Sequence, residues 1–465
     1  MSTTAATSML NYANKRTKAM SATTERVKVP PQNGTSFQLQ STIDLRMPNM
    51  PKGSFLDMHN SYIKLHIRTE KHVGSAASAS AEAKVINPVS RESDEVFLTQ
   101  NGVFALIERI EIISAAQTIS VIDQYSKLAG CFLTTESDGN FKKGAGALQF
   151  GMGYDAAHAD KGVLLTPAGT GNGAQDNFFC FPLILTNLMS SSKYIPLFSS
   201  DNLIIRITLN SYSRGFVTGA TVAGTAVTPG TCRTLAPVIQ NVEMVNQIVK
   251  LDPIAAKLVD DPVGGVYQIV VDDWRNARSQ IEASAQTLNV NLGMSFASLS
   301  RIIFAFYKTG YSATLNNYDS ENNRSHRSLS EFSFQLNGVN YPAQRLKANS
   351  TSNISEVIAE IRGSTRQSLD FTHQMCATRA NWAIDGGNGK TTNVGSAFYE
   401  IDLEGLRSYQ ENDVYSGLYT IGGVSSLDAT MSAVSTDPME LCVWGQFQAT
   451  LTLDTRGDNI FTYQS

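Results

Sequence analysis

The segment Gly386–Thr392, GGNGKTT, contains the glycines, lysine and hydroxyl groups that a phosphate-binding loop uses. In such a loop the first glycine lies five residues before the second, and that position here is Ile384. Gly169 and Gly171 begin a dinucleotide-binding pattern, but Ala174 occupies the place of its third glycine, and no strand–helix–strand unit surrounds it. The sequence therefore does not predict nucleotide binding, and we expect no cofactor.

The histidines lack the spacing of a metal site. His59 and His66 are an odd number of residues apart on one predicted strand, so their side chains are expected on opposite faces. A cupin-like metal site would also need histidines two residues apart and a carboxylate, yet Lys64 and Arg68 occupy those positions. Two aspartate pairs fit turns or helix caps better than a cation site: Asp260–Asp261 and Asp272–Asp273. We expect no metal ligand.

The sequence also lacks a local motif for hydrolytic chemistry. The segment that starts at Gly310, GYSAT, lacks the second glycine of a serine-nucleophile turn. A pair of carboxylates for glycosidic chemistry stays open, because their separation is set in three dimensions. Trp274, Trp382 and Trp444 are expected in cores or at their rims. The sequence therefore predicts no catalytic residue and no enzyme.

Basic residues are concentrated near the N-terminus. The first 30 residues carry five basic side chains against Glu25 alone, although the whole chain has a net charge of −4. This local reversal of sign indicates contact with a polyanion or another negatively charged partner. A solvated terminus without a partner explains the pattern equally well. The candidate contact residues are Lys15, Arg16, Lys18, Arg26 and Lys28.

Length and composition favour two globular domains. The chain has 465 residues, more than the roughly 250 to 300 that a single hydrophobic core supports. Its residues are 42% hydrophobic and only 17% charged. Five cysteines without a CxxC pair or a secretory leader favour reduced thiols in the cytoplasm or nucleus. No apolar run reaches the roughly 18 residues that a membrane span needs.

Short alternating segments indicate that the chain is mostly β-strand. The clearest is residues 203–209, LIIRITL, in which apolar and other residues alternate as in a half-buried strand. Residues 134–176 and 214–234 are rich in Gly, Ala and Thr and are expected as long surface loops. A short helix is predicted near 124–132. First-half strands are predicted at 37–46, 61–69, 104–113, 118–122, 179–185, 203–209 and 239–249.

The second half repeats this plan. A boundary is predicted at 252–265, where Pro253 opens a short helix and Gly264 and Gly265 end it. One amphipathic helix is expected at 353–362. The predicted domains are a flexible basic arm (1–35), a first sandwich (36–251), a linker (252–265) and a second sandwich (266–465). Second-half strands are predicted at 266–271, 288–292, 299–307, 329–336, 367–372, 398–403, 417–422 and 441–453.

Four passages resemble one protein family. They begin at Phe37 (FQLQSTIDLRMPNMPKGSFLDMHNSYIKLHIR), at Lys193 (KYIPLFSSDNLIIRITL), at Ser300 (SRIIFAFYKTG, continued by SLSEFSFQLNGVNYP) and at Phe398 (FYEIDLEGLRSYQENDVYSGLYTIGG). In their order and pattern they are similar to the double jelly-roll major capsid proteins of tailless icosahedral double-stranded DNA viruses. The likeness is closest to polinton-like viruses and related small eukaryotic viruses, and it covers the chain from about residue 36 to its end.

The resemblance implies an all-β fold of two consecutive eight-stranded antiparallel jelly rolls with short helices and long loop insertions. It implies a major capsid protein, a homotrimer that forms pseudo-hexameric capsomers and tiles an icosahedral shell around a double-stranded DNA genome. Partners would be neighbouring capsomers, penton and minor capsid proteins, and packaged DNA or an internal membrane through the arm. The chain would lie in the virion, after assembly in the host cytoplasm or nucleus.

Two other functions remain open from the sequence. A two-domain β-sandwich that binds carbohydrate or mediates adhesion would have a leader, disulfides or clustered loop aromatics. A carbohydrate-active jelly roll would need two carboxylates converging in one cleft.

Overall fold

A computed structural model describes most of the chain. The described residues are 22–73, 96–114, 117–153, 161–165, 173–191, 193–198, 203–218, 232–234, 237–309, 323–349, 354–365, 375, 377, 382, 395–404, 416–435, 437–454 and 461–464.

The first half of the chain forms three antiparallel sheets. Its described strands are β1 (Ala22–Val29), β2 (Ser36–Phe37), β3 (Thr42–Arg46), β4 (Ser54–Val73), β5 (Val96–Thr99), β6 (Ile107–Ser114), β7 (Gln117–Asp123), β8 (Lys161–Leu164), β9 (Gly173–Phe181), β10 (Ile195–Pro196), β11 (Ile204–Leu209), β12 (Phe216–Thr218), β13 (Cys232–Thr234) and β14 (Val238–Leu251). The largest sheet has the order β1-β14-β4-β10, with β2, β9 and β13 added beside it. A second sheet has the order β3-β11-β6-β7, and a small third one β12-β5-β8.

Helices of the first half lie between these strands. They are α1 (Tyr125–Glu136), α2 (Gly139–Lys143), α3 (Ala145–Phe150), α4 (Asn187–Ser190) and α5 (Tyr212–Gly215), together with a short 3₁₀ helix at Gly102–Leu106. The helix α6 (Pro253–Val263) then leads to the second half. Both the helix predicted near 124–132 and the boundary helix are confirmed, and α1 continues to Glu136.

The second half forms two antiparallel sheets. Its described strands are β15 (Val266–Ile281), β16 (Thr287–Asn291), β17 (Leu299–Lys308), β18 (Arg324–Ser325), β19 (Leu329–Leu336), β20 (Val339–Lys347), β21 (Tyr399–Asp402), β22 (Ser425–Met431), β23 (Met439–Asp454) and β24 (Phe461–Gln464), with helix α7 (Ile354–Ser364). One sheet has the order β15-β23-β17-β18, with β21 and β24 beside it. The other has the order β16-β22-β19-β20.

Buried side chains of the strands build the core of each sandwich. In β11, Ile205, Ile207 and Leu209 are buried, whereas the residues between them are partly exposed. Each fully buried aliphatic side chain contributes about 1.5 to 3 kcal/mol of hydrophobic stabilisation. In the second half, Phe304 of β17 packs against Phe332 and Phe334 of β19, with ring centroids 5.0 and 5.8 Å apart. Burial therefore alternates along β11 in the first half, whereas β17 in the second half is buried at eight of its ten positions.

The prediction of a flexible arm at 1–35 is wrong for eight of its residues. Ala22–Val29 forms β1, which pairs with β14 along its whole length, from Ala22 opposite Leu251 to Val29 opposite Met244. Val27 packs against the hydrophobic core, which fixes one face of the strand. The sequence signal for this strand was the alternation of Val27 and Val29 with Arg26 and Lys28.

The prediction of a continuous surface loop at 134–176 is also wrong. This stretch holds α2, α3 and β8, and it buries Met152 and Leu165 completely. One of its glycines has a packing role: a side chain at Gly162 would collide with the backbone carbonyl oxygens of Thr99 and Gly151. Gly- and Ala-rich sequence here permits close contact of short helices with the first sandwich.

Two further strand predictions fail or fall outside the described residues. The stretch 417–422 is not a strand, and only Leu418 forms an isolated bridge, to Leu299. The strand predicted at 367–372 lies outside the described residues. Conversely, β20 and β22 were not predicted; both belong to the sheet with the order β16-β22-β19-β20.

Candidate functional site

Arg26 and Lys28 are two residues apart on β1 and share its exposed face. Arg26 Nε donates a hydrogen bond to Gln247 Oε1 over 3.1 Å, and Lys28 Nζ lies 3.7 Å from Glu243 Oε2. Both cations are therefore held by polar side chains of the neighbouring strand β14. The other three predicted contact residues lie outside the described residues: Lys15, Arg16 and Lys18.

Strand β1 forms one edge of the largest sheet. Among the described strands its only partner is β14, so the far side of β1 presents backbone groups outward. Charged side chains on an edge strand normally prevent uncontrolled pairing with other chains. Arg26 and Lys28 fit this structural role as well as a role in binding a polyanion.

A buried cation joins the two halves of the molecule. Lys127 lies on α1 in the first half, and its side chain is 1% exposed. Its Nζ is 2.6 Å from Glu440 Oε2 on β23 and 4.7 Å from the ring centroid of Tyr307 on β17. The interaction stabilises only the arrangement in which α1 packs against the second sandwich. Sequence analysis missed Lys127; the available signal was a lone charge within the apolar helix segment YSKLAGCF.

Two groups near Lys127, the Tyr307 hydroxyl and the Cys131 thiol, are kept neutral by burial. Burial raises the pKa of Tyr307 well above its ordinary value, and it raises the pKa of the Cys131 thiol despite the nearby Arg324 guanidinium. The Tyr307 hydroxyl lies 3.8 Å from Cys131 Sγ. A thiol with a raised pKa is a poor nucleophile, so Cys131 acts as a packing residue.

A second set of polar contacts crosses the same junction. Ser120 Oγ on β7 donates to Asp273 Oδ1 on β15 over 2.8 Å, and Asp273 Oδ1 also accepts the backbone N–H of Trp274. Ser190 Oγ on α4 lies 3.0 Å from the carbonyl oxygen of Asp272. The hydrogen bond from Ser120 to Asp273 therefore links the first sandwich to the second.

Four carboxylates line one small cleft at this junction: Glu136, Asp272, Asp402 and Glu404. The cleft has a volume of about 280 Å³, at the lower limit of the roughly 300 to 1,000 Å³ typical of small-molecule sites. Asp402 Oδ1 accepts the backbone N–H of Glu404 over 3.0 Å. Carboxylates therefore converge in one cleft, as a carbohydrate-active enzyme would need, but this cleft is small.

Arg301 balances part of this negative charge. Its Nη1 lies 3.0 Å from Glu400 Oε1, and its guanidinium stacks over Trp274 at 5.2 Å from the ring. Burial raises the pKa of Glu400, while Arg301 opposes that rise. Within the described part of the chain, no group of three or more His, Cys, Asp and Glu side chains is arranged to hold a metal ion.

A larger cavity of about 1030 Å³ opens elsewhere between the sandwiches. Its walls are mainly apolar and come from three places: Phe55 on β4, Val249 and Leu251 on β14, and Tyr267 and Ile269 on β15. Polar residues that line it include Asp57, His59, Asn60, Lys193 and Gln268. The cavity is large enough to accept several side chains or one small ligand.

Exposed apolar side chains gather at one end of the second sandwich. Tyr419, Ile421 and Val424 are 60%, 45% and 67% exposed, and Val339 at the β19–β20 turn is 54% exposed. Ile421 and Val424 line a shallow depression with Asn337. Clusters of this kind are typical of protein contact surfaces.

No helix in the described residues has the length and apolar character needed to cross a bilayer.

Neither the family models nor the curated proteins searched contain a match to this chain. Solved structures do match. The Faustovirus major capsid protein has a TM-score of 0.60 at 9% identity, covering 96% of this chain and 92% of that chain. A chain in the Sputnik virophage structure gives 0.57 at 11% identity, over 99% and 92%. The mavirus major capsid protein gives 0.52 at 10% identity, over 94% and 90%.

These similarities extend through both sandwiches. At such low identity they establish the fold and not the activity. The prediction of an all-β chain with two consecutive antiparallel jelly rolls is confirmed.

Proposed function

We propose that this chain is the major capsid protein of an icosahedral double-stranded DNA virus, related to those of polinton-like viruses. The observation that carries the proposal is the match of both sandwiches, over 96% of the chain, to the Faustovirus major capsid protein. A local match to one sandwich would fit any β-rich domain. A match that includes both jelly rolls and their junction fits a specialised two-domain architecture.

The chain acts in this proposal by self-association. Three copies, each with two similar sandwiches, present six sandwiches around one axis and so form a pseudo-hexameric capsomer. The domains are an N-terminal segment (1–35), of which residues 22–29 join the first jelly roll as β1, two jelly rolls (36–251 and 266–465) and a linker (252–265) that contains α6. The exposed group of Tyr419, Ile421, Val424 and Val339 supports a contact role, because burial of such surface favours association.

No enzymatic activity is part of the proposal. The carboxylate cleft is small, Arg301 on its wall is paired with Glu400, and its walls join the two sandwiches. These features are those of a polar structural junction. The protein would be located in the virion, with assembly in the host cell and with penton and minor capsid proteins as further partners.

The assembly proposal is tested by the mass of the purified full-length chain in solution. Mass photometry at nanomolar to micromolar concentration is expected to show particles of three times the 50.4 kDa of one chain. A monomer at every concentration would contradict the proposal. The control is Lys308→Gln, a single charge change on β17, remote from the exposed apolar group, which should leave the trimer intact.

The basic N-terminal residues are proposed to contact packaged DNA or an anionic inner membrane. Deleting residues 1–30 is a poor test, because it removes β1 from its sheet. Substitution of Lys15, Arg16 and Lys18 by Gln leaves β1 in place. This triple variant should bind DNA or anionic vesicles more weakly and with a smaller salt dependence, since each lost phosphate contact reduces counterion release.

The matched control for that experiment is Arg26→Gln with Lys28→Gln. Both residues already contact β14, so their substitution should change the salt dependence less than the triple variant does. Equal binding by the unmodified chain and the triple variant, measured by fluorescence anisotropy across a salt series, would leave the N-terminal segment without a polyanion role.

A further inference from the structure

The large cavity between the sandwiches has apolar walls from both halves of the chain. Phe55 of β4 and Val249 and Leu251 of β14 line it from the first half. Val249 lies opposite Phe55 in the paired strands, so these two side chains share one face of the sheet. Tyr267 and Ile269 of β15 line the cavity from the second half. A molecule bound there would therefore contact both jelly rolls.

Aromatic rings connect the two walls. The ring centroid of Phe198 lies 5.8 Å from that of Phe55 and 5.7 Å from that of Tyr267, and both contacts are edge to face. Edge-to-face contacts stabilise the relative positions of aromatic rings beyond the effect of burial alone. The apolar wall is therefore formed by the protein itself before any ligand binds.

A buried carboxylate lines the same cavity. Asp57 lies two residues after Phe55 on β4, which places both side chains on one face of the strand, and it is only 7% exposed. Its Oδ2 accepts a hydrogen bond from Asn60 Nδ2 over 2.7 Å, and its Oδ1 accepts the backbone N–H of Asn60 over 3.3 Å. Both donors are neutral groups, so these hydrogen bonds leave the negative charge of Asp57 without a counterion.

No cation among the described side chains balances this charge. None of the described ion pairs involves Asp57. Lys193 also lines the cavity, but it is exposed, so water and salt screen its charge. His59 donates from Nε2 to the carbonyl oxygen of Ser191 over 3.3 Å. Burial of a carboxylate without a cation is unfavourable, and a cation brought into the cavity would reduce that cost.

We propose that this cavity binds a small organic cation with an apolar body, of the primary alkylamine class. Its ammonium group donates to the Asp57 carboxylate, and its hydrocarbon part packs on Val249, Leu251 and Ile269. The volume of about 1030 Å³ is at the upper end of the roughly 300 to 1,000 Å³ typical of small-molecule sites. The bound cation contacts both jelly rolls and stabilises their junction. The inference is independent of the capsid proposal, because one chain supplies every lining residue.

Isothermal titration calorimetry on the full-length chain tests the proposal with three probes that have the same hydrocarbon chain. The probes are decylammonium, decanol and decanoate, each at concentrations at which it stays monomeric. Decylammonium should bind at least about tenfold more tightly than decanol, because a hydrogen bond to a charged group contributes this much affinity. Decanoate should bind most weakly, since Asp57 repels its carboxylate. Equal affinities for the ammonium and the alcohol, or no binding of any probe, would overturn the proposal.

Asp57→Asn removes the charge and keeps the size of the side chain. This variant should bind decylammonium and decanol equally, with its affinity for decanol unchanged. The matched control is Asp428→Asn: Asp428 Oδ1 also accepts from an asparagine amide, Asn289 Nδ2, over 2.6 Å, but Asp428 lies on β22 and does not line the cavity. Preference for the ammonium that survives in Asp57→Asn, or that is lost in Asp428→Asn, would contradict the assignment.

A cavity-filling variant locates the hydrocarbon part of the probe. Val249→Trp places a large ring at a partly exposed position of the wall and should weaken the binding of decylammonium and decanol by a similar factor. Circular dichroism shows whether the variant is folded, and Leu251→Phe replaces it if it is not. Unchanged binding to the folded variant would place the probes elsewhere and overturn the proposal. Mass photometry measures trimer formation separately, so failure of the ligand site and failure of the assembly role are distinguishable.

Discussion

At the scale of single residues, the structure depends on a few polar side chains in the junction between the sandwiches. Lys127 is the clearest example, because its ammonium is buried and its partners, Glu440 and Tyr307, both belong to the other half. The sequence could not predict this pairing, since more than 300 residues separate Lys127 from Glu440. Sequence analysis expected a turn or helix cap at Asp272–Asp273, but both residues lie within strand β15, and the partner of Asp273, Ser120, is 153 residues away.

Lys127→Ala should destabilise the protein strongly. Removal of the ammonium leaves Glu440 without its closest partner, and breaking a buried ion pair typically costs about 3 to 5 kcal/mol. Arg278 lies 3.6 Å from Glu440 and compensates in part, so we expect a loss of about 3 kcal/mol in the free energy of unfolding, measured by urea denaturation.

Two variants serve as controls for this prediction. Arg345 pairs with Glu331 on the surface over 3.1 Å, and Arg345→Ala should cost less than about 1 kcal/mol. A double variant, Lys127→Met with Glu440→Gln, removes both charges and should recover much of the lost stability. If Lys127→Ala lowered the free energy of unfolding no more than Arg345→Ala does, the buried ion pair would not hold the two halves together.

At the scale of helices and strands, strongly periodic segments were predictable and weakly apolar ones were not. The alternation of Ile205, Ile207 and Leu209 with smaller or charged residues predicted β11 correctly. Strand β22 has the same alternation, in Leu427, Ala429 and Met431, but its serines and aspartate disfavour strands and masked it. Sheet pairing supplies the stability that local propensity lacks.

Strand β1 shows the same limitation for the N-terminus. Few large apolar residues precede residue 30, so the sequence predicted a flexible arm there. In the structure, Ala22–Val29 instead forms eight consecutive residue pairs with β14 and is a strand. The pairing could not be inferred locally, because β14 lies more than 200 residues further along the chain.

Hydrogen exchange measures this correction directly. In an edge strand, alternate backbone N–H groups donate to the neighbouring strand while the others face solvent. Amides from Ala22 to Val29 should therefore show a period-two pattern of slow and fast exchange by NMR or high-resolution mass spectrometry. Uniformly fast exchange over these residues would favour the flexible arm instead.

At the scale of the whole molecule, two jelly rolls are joined by α6 and by a shared polar junction. That plan, predicted from strand patterns and from resemblance to a capsid family, is confirmed as a fold by the match over nearly the entire chain. The junction fixes one sandwich relative to the other. A rigid pair of sandwiches is the property that a repeating shell unit needs, because each capsomer must present its contact surfaces at constant angles.

The most direct test of the capsid assignment is negative-stain electron microscopy of the purified full-length chain, followed by class averaging. We predict particles with a hexagonal outline and threefold symmetry, in which each of three chains supplies two neighbouring lobes, or closed shells built from such particles. Isolated two-lobed monomers at all concentrations and salt conditions would contradict the account.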